Sequence, residues 1–133
     1  MDKAIQQKYM EYQFIGEKIK QLQQQVQTID EQTVEIMATI QSIDDFSSLK
    51  DKSSILVPIN NGIFAKATLN KEDKLLVNVG AQIVVSKSLE ETKGLIEKQK
   101  LELEKLKVNV AVNIQKLAER ASILEKDLSA ATG

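Results

Sequence analysis

LLVNVGAQIVV, residues 75–85, is the stretch of sequence that decides the fold. It carries no charge, it is rich in β-branched residues, and Gly80 lies at its middle. The segments on either side are long, charged and rich in residues that favour helix. The sequence therefore predicts a small β insert between two long helices, an α+β fold that is mostly α.

Four short strands make up the predicted insert. Its turns are Asn60-Asn61-Gly62, where Asn and Gly tolerate positive φ, then Asn70-Lys71-Glu72-Asp73, then Gly80-Ala81-Gln82. Pro58 removes one ladder hydrogen bond, which places the first strand at an edge or a bulge. The insert is either two β-hairpins or one four-stranded meander, with strands over residues 55–59, 63–69, 74–79 and 83–87.

The first helix, predicted for residues 1–45, carries its apolar residues on a heptad repeat. One position holds Ile5, Tyr12, Ile19, Val26, Thr33 and Ile40, and the other holds Lys8, Ile15, Leu22, Ile29, Ile36 and Ile43. A linker over residues 46–54 follows.

The second helix is predicted for residues 88–133, with Ser88 as N-cap and Glu91 completing a capping box. Leu89, Ile96, Leu103, Val110, Leu117 and Leu124 lie seven residues apart. The companion position holds Thr92, Gln99 and Leu106, and then Ile114, Ala121 and Leu128, which predicts a stutter near Val110. KVNVAVNI (107–114) alternates like a strand, but a strand there would have no partner, so we predict helix.

Each helix offers a narrow apolar seam that suits one helical partner. The two predicted helices match in length, at roughly 60 Å for a rise of 1.5 Å per residue. We therefore predict an antiparallel coiled coil within one chain, and the alternative is that each helix pairs with another copy of the protein.

The β insert cannot be stable by itself, because small hairpins are marginal and leave backbone edges unpaired. Strands from other subunits would cover its apolar side chains and close a β-barrel between subunits. The residues predicted to make this oligomerisation surface are Leu56, Val57, Ile63, Phe64, Leu75, Leu76, Val77, Val79, Ile83, Val84 and Val85.

Composition excludes several classes of function. The chain has no cysteine and no histidine, which removes the usual zinc sites and nucleophile systems. A net charge of −1 and 4% aromatic residues argue against a nucleic-acid surface. Acidic pairs such as Asp44-Asp45 and Glu90-Glu91 are typical of solvated helix ends. We predict no enzyme activity, no metal, no cofactor and no membrane contact, and a chain that is soluble and intracellular.

The predicted free end of the coil, residues 1–15 and 118–133, is called the tip here. Tyr9, Met10 and Phe14 lie off the seam beside Ile5 and Tyr12. On the second helix, Ile123 lies off the seam beside Leu124 and Leu128. Such a cluster predicts a contact surface for another protein, and the alternative is that it staples the helix end. Leu101, Val108 and Val112 are also off the seam, with no assigned role.

At ILVPINNGIFAKATL and LLVNVGAQIVVSKSLEET the chain resembles prefoldin, a chaperone of archaea and eukaryotes, and specifically its α-class subunit. Leu56-Val57-Pro58 matches the strand that opens the family's first hairpin. Val79-Gly80-Ala81 matches its Val-Gly-Ala-Gly turn, with Gln82 in place of the last glycine. The β-class subunit has one hairpin where this sequence has two, which favours the α class.

The resemblance implies a cytoplasmic hexamer of two α and four β subunits on a double β-barrel. It implies ATP-independent capture of unfolded client proteins at the tips and their delivery to a group II chaperonin. The client contacts it implies are Ile5, Tyr9, Met10, Tyr12, Phe14, Ile123, Leu124 and Leu128. The alternative is an oligomeric coiled-coil scaffold with fixed partners and no chaperone activity.

Overall fold

A computed structural model describes residues 2–72 and 74–132. The elements in chain order are α1 (Lys3–Ser48), β1 (Ser54–Asn60), β2 (Ile63–Thr68), β3 (Lys74–Asn78), β4 (Val84–Ser88) and α2 (Leu89–Thr132). This order confirms the predicted class, two long helices with a β insert between them. Met1, Gly133 and Asp73, the last residue of the second predicted turn, lie outside the described residues.

The chain divides into two compact units. Among the described residues, the first unit contains residues 2–35 and 100–132, and the second contains residues 36–72 and 74–99. Within the described ranges, neither helix has an apolar stretch long enough to cross a membrane.

The first unit is an antiparallel pair of helix segments. Lys8 Nζ lies 3.2 Å from Asp127 Oδ2, Arg120 Nε lies 2.9 Å from Glu11 Oε1, and Lys107 Nζ lies 2.7 Å from Asp30 Oδ1. The α2 partner falls in number as the α1 residue rises, so the helices run in opposite directions within one chain. The predicted seam is the inner face, and its most buried members in this unit are Ile15, Ile29, Val110 and Leu124.

The predicted register of α2 is wrong over residues 99–107. Gln99 and Leu106, assigned to the seam, are exposed. Lys100 is half-buried instead, and Lys107 pairs with Asp30 on α1. A lysine can occupy such a position because its methylene stem covers apolar surface while its ammonium group reaches solvent or a carboxylate. The inward-facing positions Leu103, Lys107, Val110 and Ile114 therefore keep a regular spacing of four, three and four residues, and the stutter predicted near Val110 is wrong.

The helices begin and end close to the predicted residues. The α1 helix ends at Ser48, three residues past the predicted end, so the predicted linker starts inside the helix. The Ser47 and Ser48 hydroxyls donate to the carbonyl oxygens of Asp44 and Asp45 at 2.7 and 2.8 Å, which lets serine continue the last turn. At the start of α2 the Glu91 N–H donates to Ser88 Oγ at 3.0 Å, as predicted for an N-cap.

The second unit carries two separate β-hairpins, which excludes the meander. β1 pairs with β2 and β3 pairs with β4, both antiparallel, in two sheets of two strands each. The strands begin and end within one residue of the predicted positions. The register of the first hairpin shifts between Pro58 and Asn60, consistent with the bulge that Pro58 predicted.

The turns of the two hairpins differ in backbone conformation. In the first turn, Gly62 has φ of 78°, and positive φ falls on this residue rather than on the two asparagines. In the second hairpin Gly80, Ala81 and Gln82 all have positive φ, at 114°, 50° and 62°. Gln82 stands where the prefoldin resemblance expects glycine, and its left-handed conformation explains why glycine suits that position.

Lys71 joins the segment between the hairpins to the end of α1. Its Nζ donates to the carbonyl oxygens of Ser47 at 2.8 Å and Leu49 at 2.5 Å, and its N–H donates to Asp51 Oδ1 at 2.8 Å. The last carbonyl groups of a helix have no partner within the helix and carry partial negative charge, so they favour a cation. Next to this site Lys52 N–H donates to Leu69 O and Leu69 N–H donates to Ser53 O, both at 2.8 Å.

Replacing Lys71 by methionine is expected to loosen this junction. The Lys71→Met substitution removes both hydrogen bonds from the ammonium group while keeping the length of the side chain, so the amide hydrogens of Lys52 and Leu69 should exchange about tenfold faster or more. Lys74→Met removes a charge from the exposed first residue of β3 and serves as the control. Equal exchange in the two variants would contradict a role for Lys71 at the junction.

Candidate functional site

A cleft of about 570 Å³ lies between the ends of α1 and α2 in the first unit. Both helices contribute to its walls, and most of the side chains are apolar or aromatic. They are Ile5, Gln6, Tyr9, Met10 and Tyr12 from α1, and Glu125, Leu128, Ser129 and Thr132 from α2. A concave apolar surface with a few polar groups is the usual form of a ligand or peptide site.

The cleft exists because the helix ends carry more apolar surface than a two-helix seam can cover. Ile5, Tyr12 and Leu128 occupy seam positions and are half-buried. Tyr9 and Met10 lie beside them off the seam, and Met10 is 68% exposed. A coiled-coil seam covers only a narrow stripe of each helix, so these extra side chains remain open to solvent.

The cleft brings together five of the eight tip residues that the sequence predicted. Of the others, Phe14 and Ile123 are exposed at 68% and 52% but do not line the cleft. Leu124 is 0% exposed and belongs to the core between the helices. Its side chain therefore has no surface for a client and supports the tip from inside, unlike the other seven.

Two ion pairs connect the helices beside the cleft, Lys8 with Asp127 and Glu11 with Arg120. The Glu11–Arg120 pair is bidentate, with Nε–H and Nη2–H donating at 2.9 and 3.1 Å. The hydrogen bond from Arg120 lowers the pKa of the Glu11 carboxyl group, and Glu11 raises the pKa of Arg120. Because the pKa of Glu11 is lowered in the folded protein, the ion pair stabilises the fold at pH values above the pKa that Glu11 has in the unfolded chain. This stabilisation is lost as the pH falls through the pKa of Glu11 in the folded protein.

Sequence analysis did not find the polar residues of the cleft. Gln6 is four positions from Met10, and Glu125 and Thr132 are three and four positions from Leu128, so these three residues lie one helical turn from apolar tip residues. Ser129 directly follows Leu128. Helical spacing could have placed them beside the apolar cluster. They are absent from the prediction because it rests on apolar side chains alone.

The hairpins form a second candidate surface, in the second unit. Along β2, β3 and β4 half-buried and exposed residues alternate, whereas in β1 only Ile55 is half-buried and the other residues are exposed. Leu75, Val77 and Val85 are half-buried. The other predicted oligomerisation residues are exposed: Leu56, Val57, Ile63, Phe64, Leu76, Val79, Ile83 and Val84. Ile59, which was not predicted, is exposed as well.

A shallow depression of about 400 Å³ lies on α2 itself in the first unit. It is lined by Leu101, Glu104, Lys105, Val108 and Asn109. Leu101, Val108 and Val112, the off-seam residues without an assigned role, are all exposed on this helix.

Comparison with known proteins gives one consistent result. The family model for the prefoldin subunit matches residues 15–133. The chain is 30% identical over 118 residues to prefoldin subunit alpha of Thermofilum pendens, which covers 89% of this chain and 92% of that protein. It is 27% identical over 128 residues to prefoldin subunit alpha of Methanococcus aeolicus, covering 96% of this chain and 87% of that protein.

Among solved structures, the chain is similar to a chain in the cryo-EM structure of filamentous PFD from Methanocaldococcus jannaschii. The TM-score is 0.80 at 18% identity, with 90% of this chain and 98% of that chain covered. This match supports the fold of the part of the chain that it covers, with two long helices and two hairpins.

Substitution of Leu124 tests whether the tip depends on a buried support. Leu124→Ala is expected to lower the free energy of unfolding by about 2–5 kcal/mol, because it opens a cavity where the side chain is fully buried. Ile123→Ala removes an apolar side chain from the neighbouring exposed position and should cost about 1 kcal/mol or less. Urea unfolding followed by circular dichroism, at one protein concentration, measures both. Equal losses would show that Leu124 is not the support.

Proposed function

The chain belongs to the prefoldin family, and on this premise we propose that it is an ATP-independent holdase subunit that captures non-native polypeptides in the apolar cleft at its helix ends. The observation that carries the proposal is the cleft itself. Tyr9 and Met10 are exposed, next to half-buried Ile5, Tyr12 and Leu128, and the two helices together make a concave wall. Exposed apolar surface of this kind usually marks an interaction site.

The cleft suits clients of many sequences. Methionine has a flexible, polarisable side chain, and tyrosine offers a large apolar ring with a polar hydroxyl, so both adapt to varied partners. Contact through side chains of this type depends on apolar area rather than on a fixed pattern of hydrogen bonds. Such a surface fits a partner that has no defined structure.

One cleft should hold a client weakly. Full burial of one leucine or phenylalanine side chain is worth about 1.5–3 kcal/mol, and association itself costs about 4 kcal/mol or more. A client held by two apolar side chains in a single cleft would therefore dissociate readily. Several clefts in one complex raise the effective concentration and give firm but reversible holding. The proposed activity thus depends on assembly of several chains.

The assembly that we propose is a hexamer of two copies of this chain with four β-class subunits. The support is the family membership together with the exposed strand faces of the second unit. In the cytosol, such a complex would release its clients to a group II chaperonin.

The test compares two sets of exposed apolar residues on α1. The double variant Tyr9→Ser and Phe14→Ser removes aromatic surface at the tip, while Val34→Ser removes a similarly exposed side chain from the same helix outside the tip. We expect the double variant to need about tenfold more protein to suppress aggregation of several unrelated unfolded clients, because the lost burial exceeds about 1.4 kcal/mol. Val34→Ser should behave like the wild type.

The mass of the assembled complex serves as the internal control in that experiment. An unchanged mass with lost suppression supports client binding at the tip. Loss of the assembly in the double variant would show that these side chains are structural. A scaffold with fixed partners would lose one specific partner and leave aggregation of unrelated clients unaffected.

A further inference from the structure

The cleft contains one ionisable side chain that the proposed holdase activity does not use. Glu125 lines it from α2, and no lysine or arginine lies among the lining residues. The neighbouring acidic residues Glu11 and Asp127 are paired, with Arg120 and Lys8. Within residues 2–72 and 74–132, Glu125 takes part in no salt bridge or side-chain hydrogen bond. Among the described residues that line the cleft, Glu125 therefore contributes one negative charge and no side chain contributes a positive charge.

The aromatic residues of the cleft add to the same preference. Tyr9 and Tyr12 line it from α1. The face of a tyrosine ring carries partial negative charge and attracts an ammonium or guanidinium group. Glu125 and the two tyrosines thus favour a cation within one apolar cleft.

Client binding changes the hydration of the Glu125 carboxylate. In the free protein the Glu125 carboxylate is exposed and hydrated. An apolar segment seated in the cleft displaces part of that water, and the lost hydration is unfavourable unless a cation replaces it. A client lysine or arginine beside the apolar residues would replace it, whereas a client carboxylate would add repulsion.

We propose that the cleft selects non-native segments in which lysine or arginine flanks the apolar residues. This inference rests on the proposed holdase function and adds a rule of client choice to it. The basic side chain lies at the Glu125 side of the cleft, and the apolar residues contact Ile5, Met10 and Leu128. Clients whose apolar segments are flanked by acidic residues bind more weakly at this tip.

The size of the preference follows from the exposure of the ion pair that Glu125 would form with a client lysine or arginine. Exposed ion pairs contribute little, so we expect a two- to fivefold difference in Kd between basic and neutral flanks. The difference should shrink as salt is added, because screening weakens exposed charge pairs more than apolar contacts.

The experiment uses the full-length chain and three fluorescent, unstructured peptides. The peptides share one apolar core and differ only in their flanks, which are lysine, glutamine or glutamate. Fluorescence anisotropy at low salt measures each Kd. The expected order of affinity is lysine, then glutamine, then glutamate, with about two- to fivefold between neighbours.

Two matched variants locate the effect. Glu125→Gln removes the charge from the cleft and should abolish the preference for lysine over glutamine flanks. Glu119→Gln removes the same charge from the same helix outside the cleft and should preserve it. Loss of the preference in both variants would assign it to net charge and overturn the proposal.

The outcomes separate this inference from the holdase function. If all three peptides bind the wild type equally, and binding falls in the Tyr9→Ser and Phe14→Ser double variant, capture stands and the charge rule is wrong. If the order of affinity persists in Glu125→Gln, another group is responsible and the proposal is wrong. If none of the peptides binds, the charge rule is wrong, and the aggregation assay on the assembled complex decides the holdase function separately.

Discussion

Unpaired strand edges are the constraint on which the rest of this protein depends. Among the described residues each strand pairs with one neighbour only, so every strand leaves a row of backbone N–H and C=O groups without a sheet partner. The same hairpins expose large apolar side chains, with Leu76 at 78% and Ile59 at 69%. Water can satisfy the backbone groups but does not favour the apolar faces. Strands supplied by other chains would satisfy both at once, and we therefore propose that the hairpins are surfaces for assembly.

Assembly also explains why the helix ends can stay apolar. In the first unit the residues buried between the helices are few, among them Ile15, Ile29, Val110 and Leu124, and ion pairs such as Glu11–Arg120 accompany them. A seam this narrow leaves side chains such as Met10 uncovered, which is what a weak and adaptable binding surface requires. Weak clefts hold a client only when several act together. In the proposed complex, the strands that join the chains would thus determine how strongly the clefts together hold a client.

Much of the fold could be predicted from the sequence, because apolar residues recur at regular spacing along its helices and strands. The α1 seam and the four strands follow from repeated spacing of apolar residues, and the Ser88 cap follows from its side-chain chemistry. The positions of Lys100 and Lys107 toward α1 were not predicted, because a search for apolar spacing does not count lysine as a seam residue. Lys71 was missed because its partners are backbone carbonyl groups far away in sequence. Glu125 was missed because only the folded helix ends show that its neighbours are apolar.

The central claim is that strands from other polypeptides complete the hairpins of this chain. Native mass spectrometry tests it most directly, on the purified chain alone and after co-expression with a β-class prefoldin subunit. The account predicts defined assemblies of more than one chain, including a complex of mixed composition when the second subunit is present. A single mass of one chain under both conditions would contradict it, because the exposed faces of the hairpins would then need no partner.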